Sequence, residues 1–296
     1  MDTHNSVQDS KGDKILYFVS GCMLLLISLM VILPLVNILA ASFSSGTAVA
    51  TGRVLLWPVD PSLAGYNAVF SNNRVLTGYL NTLFYTGAGT LINVALTMIT
   101  AYPLAMPKMH LKRSYMFLFS FTMFFSGGLV PSYMLVSRLG MVNTVWAMLI
   151  PGAMSVYNMI VARTFIQNNI PIDLLEAARI DGCDYFNFFF RIVLPLSKAV
   201  IAVISLYYAV SHWNSYFNAL IYLNSQKLYP LQLVLRQILI MNSIELMDVA
   251  LEGTIASMAD LLKYALIVVS TVPILCVYPF VQRYFIKGVM IGSIKG

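Results

Sequence analysis

The segment Glu176–Pro195, EAARIDGCDYFNFFFRIVLP, carries five charged residues among its 20, whereas 10% of the whole chain is charged. It lies between two long uncharged runs, 139–162 and 199–226. A glycine in its middle predicts two short helices joined by a turn. An ordered charged segment between two apolar runs indicates a surface that meets a water-soluble partner outside the membrane.

The composition of the whole chain is that of a membrane protein. Of its 296 residues, 59% are hydrophobic and 10% are charged, and the mean hydropathy is +0.78, whereas soluble domains carry about 25% charged residues. A helix needs roughly 20 apolar residues to cross a bilayer, and lipid-exposed backbone must satisfy its own hydrogen bonds. The sequence therefore predicts an all-α membrane protein with six transmembrane helices, from the uncharged runs 15–52, 75–107, 114–137, 139–162, 199–226 and 264–282.

These runs divide the chain into three parts. We expect a cytoplasmic N-terminal segment at 1–14, a six-span domain at 15–284 and a cytoplasmic tail at 285–296. External loops are expected at about 42–78 and 224–260, and a cytoplasmic loop at about 167–197. The predicted spans are Ile15–Ala41, Leu80–Met106, Ser114–Ser137, Thr144–Ile166, Lys198–Leu223 and Leu261–Tyr284. The first run is too long for the apolar core of a cleavable signal peptide, roughly 7–15 residues, so we expect it to be retained.

The distribution of basic residues predicts the orientation. With six spans both termini lie on one side, and 12 of the 18 Lys and Arg residues then share that side, against 6 on the other. Basic residues are enriched in cytoplasmic loops, which places both termini in the cytoplasm. The net charge of +6 is thus a topology signal, and no nucleic-acid partner is expected.

Residues that could carry catalysis or bind a metal are scattered. Cys22, Cys183 and Cys276 show neither pairing nor metal-ligand spacing. No acidic residue lies at membrane depth beside His212, which argues against a proton-coupled secondary carrier or channel. The remaining histidines, His4 and His110, form no cluster that would favour a membrane enzyme. The sequence contains no Walker-type phosphate loop, so no catalytic or metal site is predicted.

Single residues of the charged segment predict where its two helices begin and end. Asp173 is predicted as a helix N-cap with Glu176 at capping-box spacing. Gly182 suits a left-handed helix end, and Asp184 is predicted to cap a second helix over Tyr185–Val193. Two interpretations of Glu176 stay open, either a fixed charge that a basic partner pairs or a cap of its own helix.

The predicted fifth span is unusually polar. Steps of three or four residues place five side chains on one helical face, namely Tyr207, Ser211, Asn214, Asn218 and Tyr222. Polar groups within a span usually face a cavity or another helix. Amide, hydroxyl and aromatic groups suit a sugar, so we predict that this face lines a substrate pathway. Hydrogen bonding between helices is the alternative.

The order E-A-A-x-x-x-G followed by I-x-L-P, at Glu176–Gly182 and Ile192–Pro195, resembles the EAA loop of ATP-binding-cassette importer permeases. The stretches His212-Trp213-Asn214 and Leu220-Ile221-Tyr222 and the tail from Lys287 resemble the sugar-importing branch. From the second span onward the chain is similar to the MalG-like subunit of a type I carbohydrate importer, which has the MetI-like permease fold. Cys183 and Ala199 depart from the residues frequent in that branch, alanine and proline.

The resemblance implies roles for particular residues. It implies that the loop docks on an ATPase subunit through Glu176, Ala177, Ala178, Asp181, Gly182 and Pro195. It also implies that the tail reaches the ATPases, with Lys287, Gly288, Gly292 and Lys295 as the contact residues.

The resemblance further implies an ATP-driven, binding-protein-dependent importer of sugars, with oligosaccharides derived from a polysaccharide as the expected substrates. It would work by alternating access in a bacterial cytoplasmic membrane. The expected partners are a second homologous permease, two ATPase subunits, an external solute-binding protein and membrane lipid. ATP and Mg²⁺ would be bound by the ATPases, and no cofactor is expected on this chain.

Overall fold

The structure is a computed structural model that describes residues 10–248, 261–276 and 279, with side chains described up to residue 240 and again from 261. Within these residues every regular element is a helix, so the predicted all-α class is confirmed. The chain divides into two compact units. The first comprises Met1–Ser71 with Leu239–Val269, and the second Asn72–Ile238 with Ser270–Gly296.

The first unit is dominated by one long apolar helix. It contains α1 (Lys11–Ser42), α2 (Gly46–Ala50) and α3 (Ala64–Ser71). Ser10 and Asp13 form a reciprocal capping box, with N···O distances of 2.9 and 3.2 Å. Helix α1 therefore begins inside the segment 1–14, earlier than predicted. Its apolar side chains from Ile15 to Leu35 are exposed, as expected for a helix whose solvent is lipid.

Side-chain hydrogen bonds hold the segment that follows α1. The amide of Asn37 donates to the carbonyl oxygens of Val54 and Leu55 at 3.0 and 2.8 Å. The hydroxyl of Ser42 lies 2.8 Å from that of Tyr66 on α3. The Asn37 bonds satisfy backbone groups that no helix pairs, and the Ser42–Tyr66 contact joins α1 to α3. The predicted loop 42–78 is therefore partly helical, and it ends where the next helix begins at Asn73.

The second unit is built around α4 (Asn73–Ala105). Along the chain it continues with α5 (Lys112–Phe124), α6 (Leu129–Arg138), α7 (Trp146–Leu149), α8 (Val156–Asn169), α9 (Ile172–Ile180), α10 (Tyr185–Phe188), α11 (Leu194–Leu196), α12 (Lys198–Trp213) and α13 (Phe217–Tyr222). Helices α14 (Leu231–Asp248) and α15 (Leu261–Cys276) follow, and each contributes residues to both units.

The main core of the second unit lies where α8 and α12 pack on α4. Ala101 and Ala162 are fully buried there, and Met98, Met159 and Ile204 fill the space around them. Small residues at the contact let the helix backbones approach closely, which is the usual solution for helices in lipid. This packing places the polar side chains of α4 and α12 opposite each other.

Three predicted spans are interrupted. Helices α5 and α6 meet at 113° across residues 125–128, where Gly128 adopts φ +84°, so the predicted span Ser114–Ser137 is not one continuous helix. The predicted fourth span contains α7 and most of α8, separated at Pro151 and Gly152. The predicted fifth span ends as a helix at Trp213 and resumes at Phe217.

Long membrane helices are fewer than the uncharged runs. Among the described residues, α1 and α4 are long and apolar enough to cross a membrane. The bent pairs Lys112–Phe124 with Leu129–Arg138, and Tyr185–Leu196 with Lys198–Trp213, raise the number to four if each is one broken span. Leu231–Ile240 and Leu261–Cys276 are shorter apolar helices. The count of six spans stays a prediction.

Candidate functional site

The charged segment folds as two short helices around a tight turn. Helix α9 begins one residue after Pro171, which occupies the N-cap position, and Asp173 lies in the first helical turn. The prediction of Asp173 as N-cap is therefore wrong, and its carboxylate instead faces the positive end of the helix dipole. Gly182 adopts φ +78°, as predicted. The side chain of Asp184 accepts a hydrogen bond from the backbone N–H of Asn187 at 2.7 Å, as a cap of α10 should.

Aromatic packing fastens this segment to the end of α4. The rings of Tyr102 and Phe189 lie 5.0 Å apart between centroids, and Phe188 is buried beside them. The hydroxyl of Tyr102 donates to the carbonyl oxygen of Tyr185 at 3.0 Å. A π-helical turn over Phe189–Val193 precedes Pro195, whose ring cannot continue a regular hydrogen-bond ladder. A displacement of the segment would therefore be transmitted to α4 through these contacts.

The exposed side of the segment carries most of the predicted docking residues, namely Glu176, Ala177, Asp181, Gly182 and Pro195. Ala178 is an exception: it is 9% exposed and packs in the main core beside Leu175. Its side chain faces the chain's own interior because α9 turns its apolar stripe that way, so it is removed from the predicted contact surface.

Two charges on the segment differ in their surroundings. The guanidinium of Arg179 lies 5.1 Å above the Tyr185 ring and donates to its hydroxyl at 3.2 Å. Among residues with described side chains, the one ion pair within 4.0 Å joins Arg53 to Asp60. Glu176 thus has no ionic partner in the described part of the chain, which leaves its carboxylate available to another molecule.

A polar cavity of about 450 Å³ lies in the second unit, where α4, α8 and α12 approach one another. It brings together three of the predicted pathway residues, Tyr207, Ser211 and Asn218. Asn214 does not line it, since its amide donates to the carbonyl oxygen of Val210 at 2.9 Å. Tyr222 is buried and stacks on Tyr133, with 6.1 Å between ring centroids. The predicted single face is wrong for these two residues because the helix breaks between Trp213 and Phe217.

Helix α4 supplies the opposite wall, which the pathway prediction missed. The amide nitrogen of Asn93 lies 3.3 Å from Nε2 of His212, and the hydroxyls of Thr97 and Tyr208 are 2.7 Å apart. The sequence contained a signal for this contact. Asn93 and Thr97 lie four residues apart on α4, and Tyr208 and His212 lie four residues apart on α12, so each of these pairs occupies one helix face. Two matching polar stripes of this kind predict facing helices.

Glycine makes the close approach of the two stripes possible. A Cβ atom built on Gly89 would collide with the imidazole of His212. Gly89, Asn93 and Thr97 thus form one stripe at intervals of four residues. The hydroxyl of Tyr208 also accepts a hydrogen bond from the backbone N–H of Ser155 at 2.9 Å, next to the start of α8. All three walls of the cavity are joined by these contacts.

Two buried oxygens of the cavity lining have no hydrogen-bond partner. They are Oδ1 of Asn93 and Oγ of Ser215. Buried polar atoms in folded proteins are nearly always paired. Three further unpaired oxygens, on Thr86, Thr90 and Ser197, belong to residues outside the lining, so the unpaired atoms by themselves do not mark a ligand site.

The connection after α13 is also held by side chains that the sequence prediction missed. Asn143, at φ +59°, accepts hydrogen bonds from the backbone N–H groups of Asn224 and Ser225 at 3.0 and 2.8 Å. From α4, the Tyr85 hydroxyl donates to the carbonyl oxygen of Leu228 at 2.9 Å. This part of the predicted external loop 224–260 is therefore ordered, while residues 249–260 lie outside the described residues. The predicted tail contacts Lys287, Gly288, Gly292 and Lys295 also lie outside the described residues.

Apolar helices surround a polar cavity, and an ordered charged segment is fastened to one of those helices, which is typical of a membrane protein with a polar site among its spans. No protein-family model matches the chain. It is 40% identical over 280 residues to the polygalacturonan/rhamnogalacturonan transport system permease protein YtcP of Bacillus subtilis strain 168, covering 92% of this chain and 96% of that protein. It is also 40% identical over 267 residues to Protein LplC of the same organism, covering 90% of each chain.

A solved structure shows the same fold. It is a chain of a bacterial ABC transporter involved in the import of the acidic polysaccharide alginate, with a TM-score of 0.85 and 32% identity. The match covers 94% of this chain and 99% of that one. The protein therefore belongs to the family of ABC transporter permease subunits that includes these relatives, and it is an integral membrane protein. The predicted ABC importer permease fold and the resemblance to this family are confirmed.

Proposed function

We propose that this chain is one of two permease halves of an ATP-driven importer of oligosaccharides derived from an acidic polysaccharide. The observation that carries the proposal is the 40% identity to YtcP over 92% of the chain. The alginate transporter supports it through a second acidic polysaccharide, and the uncharged polar cavity supports a hydroxyl-rich cargo. Oligomers of uronic acids are therefore the proposed substrate class.

The proposed complex contains four further proteins. A second, homologous permease completes the pathway, two ATPase subunits hydrolyse ATP with Mg²⁺, and an external solute-binding protein delivers the sugar. Family membership favours this assembly over the secondary carrier, channel or membrane enzyme considered from the sequence. The distribution of Lys and Arg supports cytoplasmic termini in a bacterial membrane.

The exposed face of α9 is the proposed contact with the ATPase. Glu176 would pair with a basic group of the ATPase subunit, and Ala177 and Gly182 would allow close approach. The packing of Phe188 and Phe189 on Tyr102 supports transmission of ATPase closure to α4. The tail residues Lys287, Gly288, Gly292 and Lys295 are proposed as a second contact with the ATPases.

Charge reversal at Glu176 tests the coupling. In the reconstituted complex of permease pair, ATPases and binding protein, Glu176→Lys should abolish substrate-stimulated ATP hydrolysis while the permease pair still assembles. Asp173→Asn is the matched control, because it removes an exposed acidic charge one turn earlier on the same helix, and it should keep the stimulation. Unchanged stimulation in Glu176→Lys would reject the coupling role, and sugar uptake by vesicles without nucleotide would reject the ATP-driven mechanism.

A further inference from the structure

Helix α14 carries a single cation, Arg236, in otherwise apolar surroundings. Between Lys227 and Glu245 the sequence has no other charged residue, and the part of the helix that contains Arg236, Leu231–Ile240, is apolar. The Arg236 side chain is partly buried. A charge at such a position in a membrane protein is costly to keep, and it usually serves a pathway or a partner.

An aromatic ring holds the guanidinium of Arg236 in place. Its central carbon lies 5.3 Å from the centroid of the Tyr216 ring, within the roughly 6 Å range of a cation–π interaction. Tyr216 lies at the break between α12 and α13, and it is 41% exposed. Among the residues with described side chains, no carboxylate lies within 4.0 Å of Arg236. A guanidinium held by its face can still donate from its edge, and that edge matches the two oxygens of a carboxylate.

Contacts with α4 show at which end of the second unit Arg236 lies. The backbone N–H of Leu231, where α14 begins, donates to the hydroxyl of Thr82 at 2.8 Å, whereas the charged segment packs on Tyr102. Thr82 and Tyr102 are 20 residues apart on one helix, which corresponds to about 30 Å, close to the thickness of a bilayer core. The start of α14 therefore lies at the end of α4 opposite the charged segment. In the proposed importer this is the side from which the sugar enters.

The pair of Arg236 and Tyr216 adjoins the polar cavity between α4, α8 and α12. Ser215 and Asn218, which lie on either side of Tyr216 in the chain, both line that cavity. No Asp, Glu, Lys or Arg lines it among the described residues. Its amides and hydroxyls can donate to a carboxylate or accept from a hydroxyl, so they do not distinguish an acidic sugar from a neutral one. A guanidinium beside the cavity does.

We infer that Arg236 binds the carboxylate of a uronic acid residue beside this cavity and makes the permease selective for acidic over neutral oligosaccharides. Tyr216 is a positioning residue, because its ring holds the guanidinium that meets the sugar. The inference rests on the proposed function, since it takes oligomers of uronic acids as the cargo.

The test is uptake by the complete reconstituted complex, with trigalacturonate and its fully methyl-esterified form as probes. The two probes have the same ring hydroxyls and differ in charge. Initial rates are measured with the binding protein saturated by the probe, so that the affinity of that protein does not enter. Arg236→Gln should lower the rate for trigalacturonate about tenfold or more, because a hydrogen-bonded charge pair is lost. The rate for the ester should stay unchanged.

Further variants separate charge, shape and position. Arg236→Lys keeps the charge without the planar fork, so its trigalacturonate rate should lie between those of the unmodified and the glutamine complex. Tyr216→Leu should lower the rate for trigalacturonate alone, and Tyr216→Phe, which keeps the ring, should not lower it. Lys227→Gln is the matched control, because it removes an exposed cation shortly before α14, and it should leave both rates unchanged.

The outcomes separate the role of Arg236 from the transport function. If the unmodified complex imports trigalacturonate, an unchanged rate in Arg236→Gln would overturn the inference alone. An equal fall for both probes would also overturn it, because Arg236 would then pair with lipid phosphate or with a carboxylate of the complex itself.

Three cases need a separate comparison. If the unmodified complex imports the acid but not the ester, an equal loss in Arg236→Lys and Arg236→Gln would overturn the inference. If the glutamine variant is not recovered, equal trigalacturonate rates in Tyr216→Leu and Tyr216→Phe would do so. Import of the ester alone, or of neither probe, by the unmodified complex would overturn the proposed substrate class and the inference with it.

Discussion

The hydroxyl of Tyr208 on α12 lies 2.7 Å from that of Thr97 on α4, and both side chains are buried. The same phenol oxygen accepts the N–H of Ser155, at the start of α8, at 2.9 Å. One oxygen atom therefore connects the three helices that surround the cavity. This contact favours one register of the three helices, because the hydroxyls are satisfied only while that register is kept.

Removal of this oxygen should destabilise the protein. Tyr208→Phe leaves the Thr97 hydroxyl and the Ser155 N–H without their partner, which costs about 1–3 kcal/mol. Thermal unfolding of the purified permease pair in detergent measures the effect. In a double-mutant cycle, Thr97→Val should cost less stability in the Tyr208→Phe background than in the unmodified protein, since the two residues share one contact. Strictly additive changes would show that the bond is not formed.

The close approach of α4 and α12 depends on one glycine. Gly89→Ala should lower stability by more than about 1 kcal/mol, because its Cβ collides with the His212 imidazole. Gly87→Ala is the control on the same helix: its Cβ would meet nothing within 4 Å, and alanine favours a helix over glycine. The free energy of unfolding and the rate of uptake should both fall in Gly89→Ala, and neither should fall in Gly87→Ala. Adding His212→Ala to the Gly89→Ala variant should restore part of the lost stability.

The sequence was most informative where local chemistry determines the structure. The left-handed turn at Gly182 and the cap at Asp184 depend on single residues and their neighbours, and both are confirmed. The cap at Asp173 was wrong, because the helix begins directly after Pro171, and a carboxylate in the first turn is stabilised there without capping.

The cavity was harder to predict because it depends on how helices meet. The prediction for the fifth span assumed one unbroken helix, and the break after Trp213 moved Asn214 and Tyr222 away from the cavity. The partners Asn93 and Thr97 belong to a helix more than 100 residues earlier in the chain. Periodicity identifies the polar stripe on each helix, but only packing, here at Gly89, determines which stripes face each other.

The turn at Gly182 makes a prediction about local order. Gly182→Ala must place a Cβ in a backbone with φ +78°, which costs about 1–2 kcal/mol, whereas Gly182→Asn should be better tolerated. Hydrogen exchange of the peptide that contains Cys183, whose N–H donates to the carbonyl oxygen of Ala178 at 2.8 Å, should be faster in the alanine variant. The control Gly140→Ala, at a different turn with φ +67°, should leave this peptide unchanged. Equal exchange in both variants would contradict a strained turn.

Asn143 combines a left-handed backbone with two accepted hydrogen bonds, so its substitutions should fall into a definite order. Asn143→Asp keeps an acceptor for the N–H groups of Asn224 and Ser225 and should retain most of the stability. Asn143→Gly loses the acceptor but keeps the backbone at φ +59°, whereas Asn143→Ala loses both advantages and should be worst, by about 1–2 kcal/mol relative to glycine. Hydrogen exchange of the two amides should be slow in the aspartate variant and fast in the other two. If alanine were as stable as glycine, strain would play no part, and if aspartate exchanged as fast as glycine, the side-chain oxygen would not be what holds this connection.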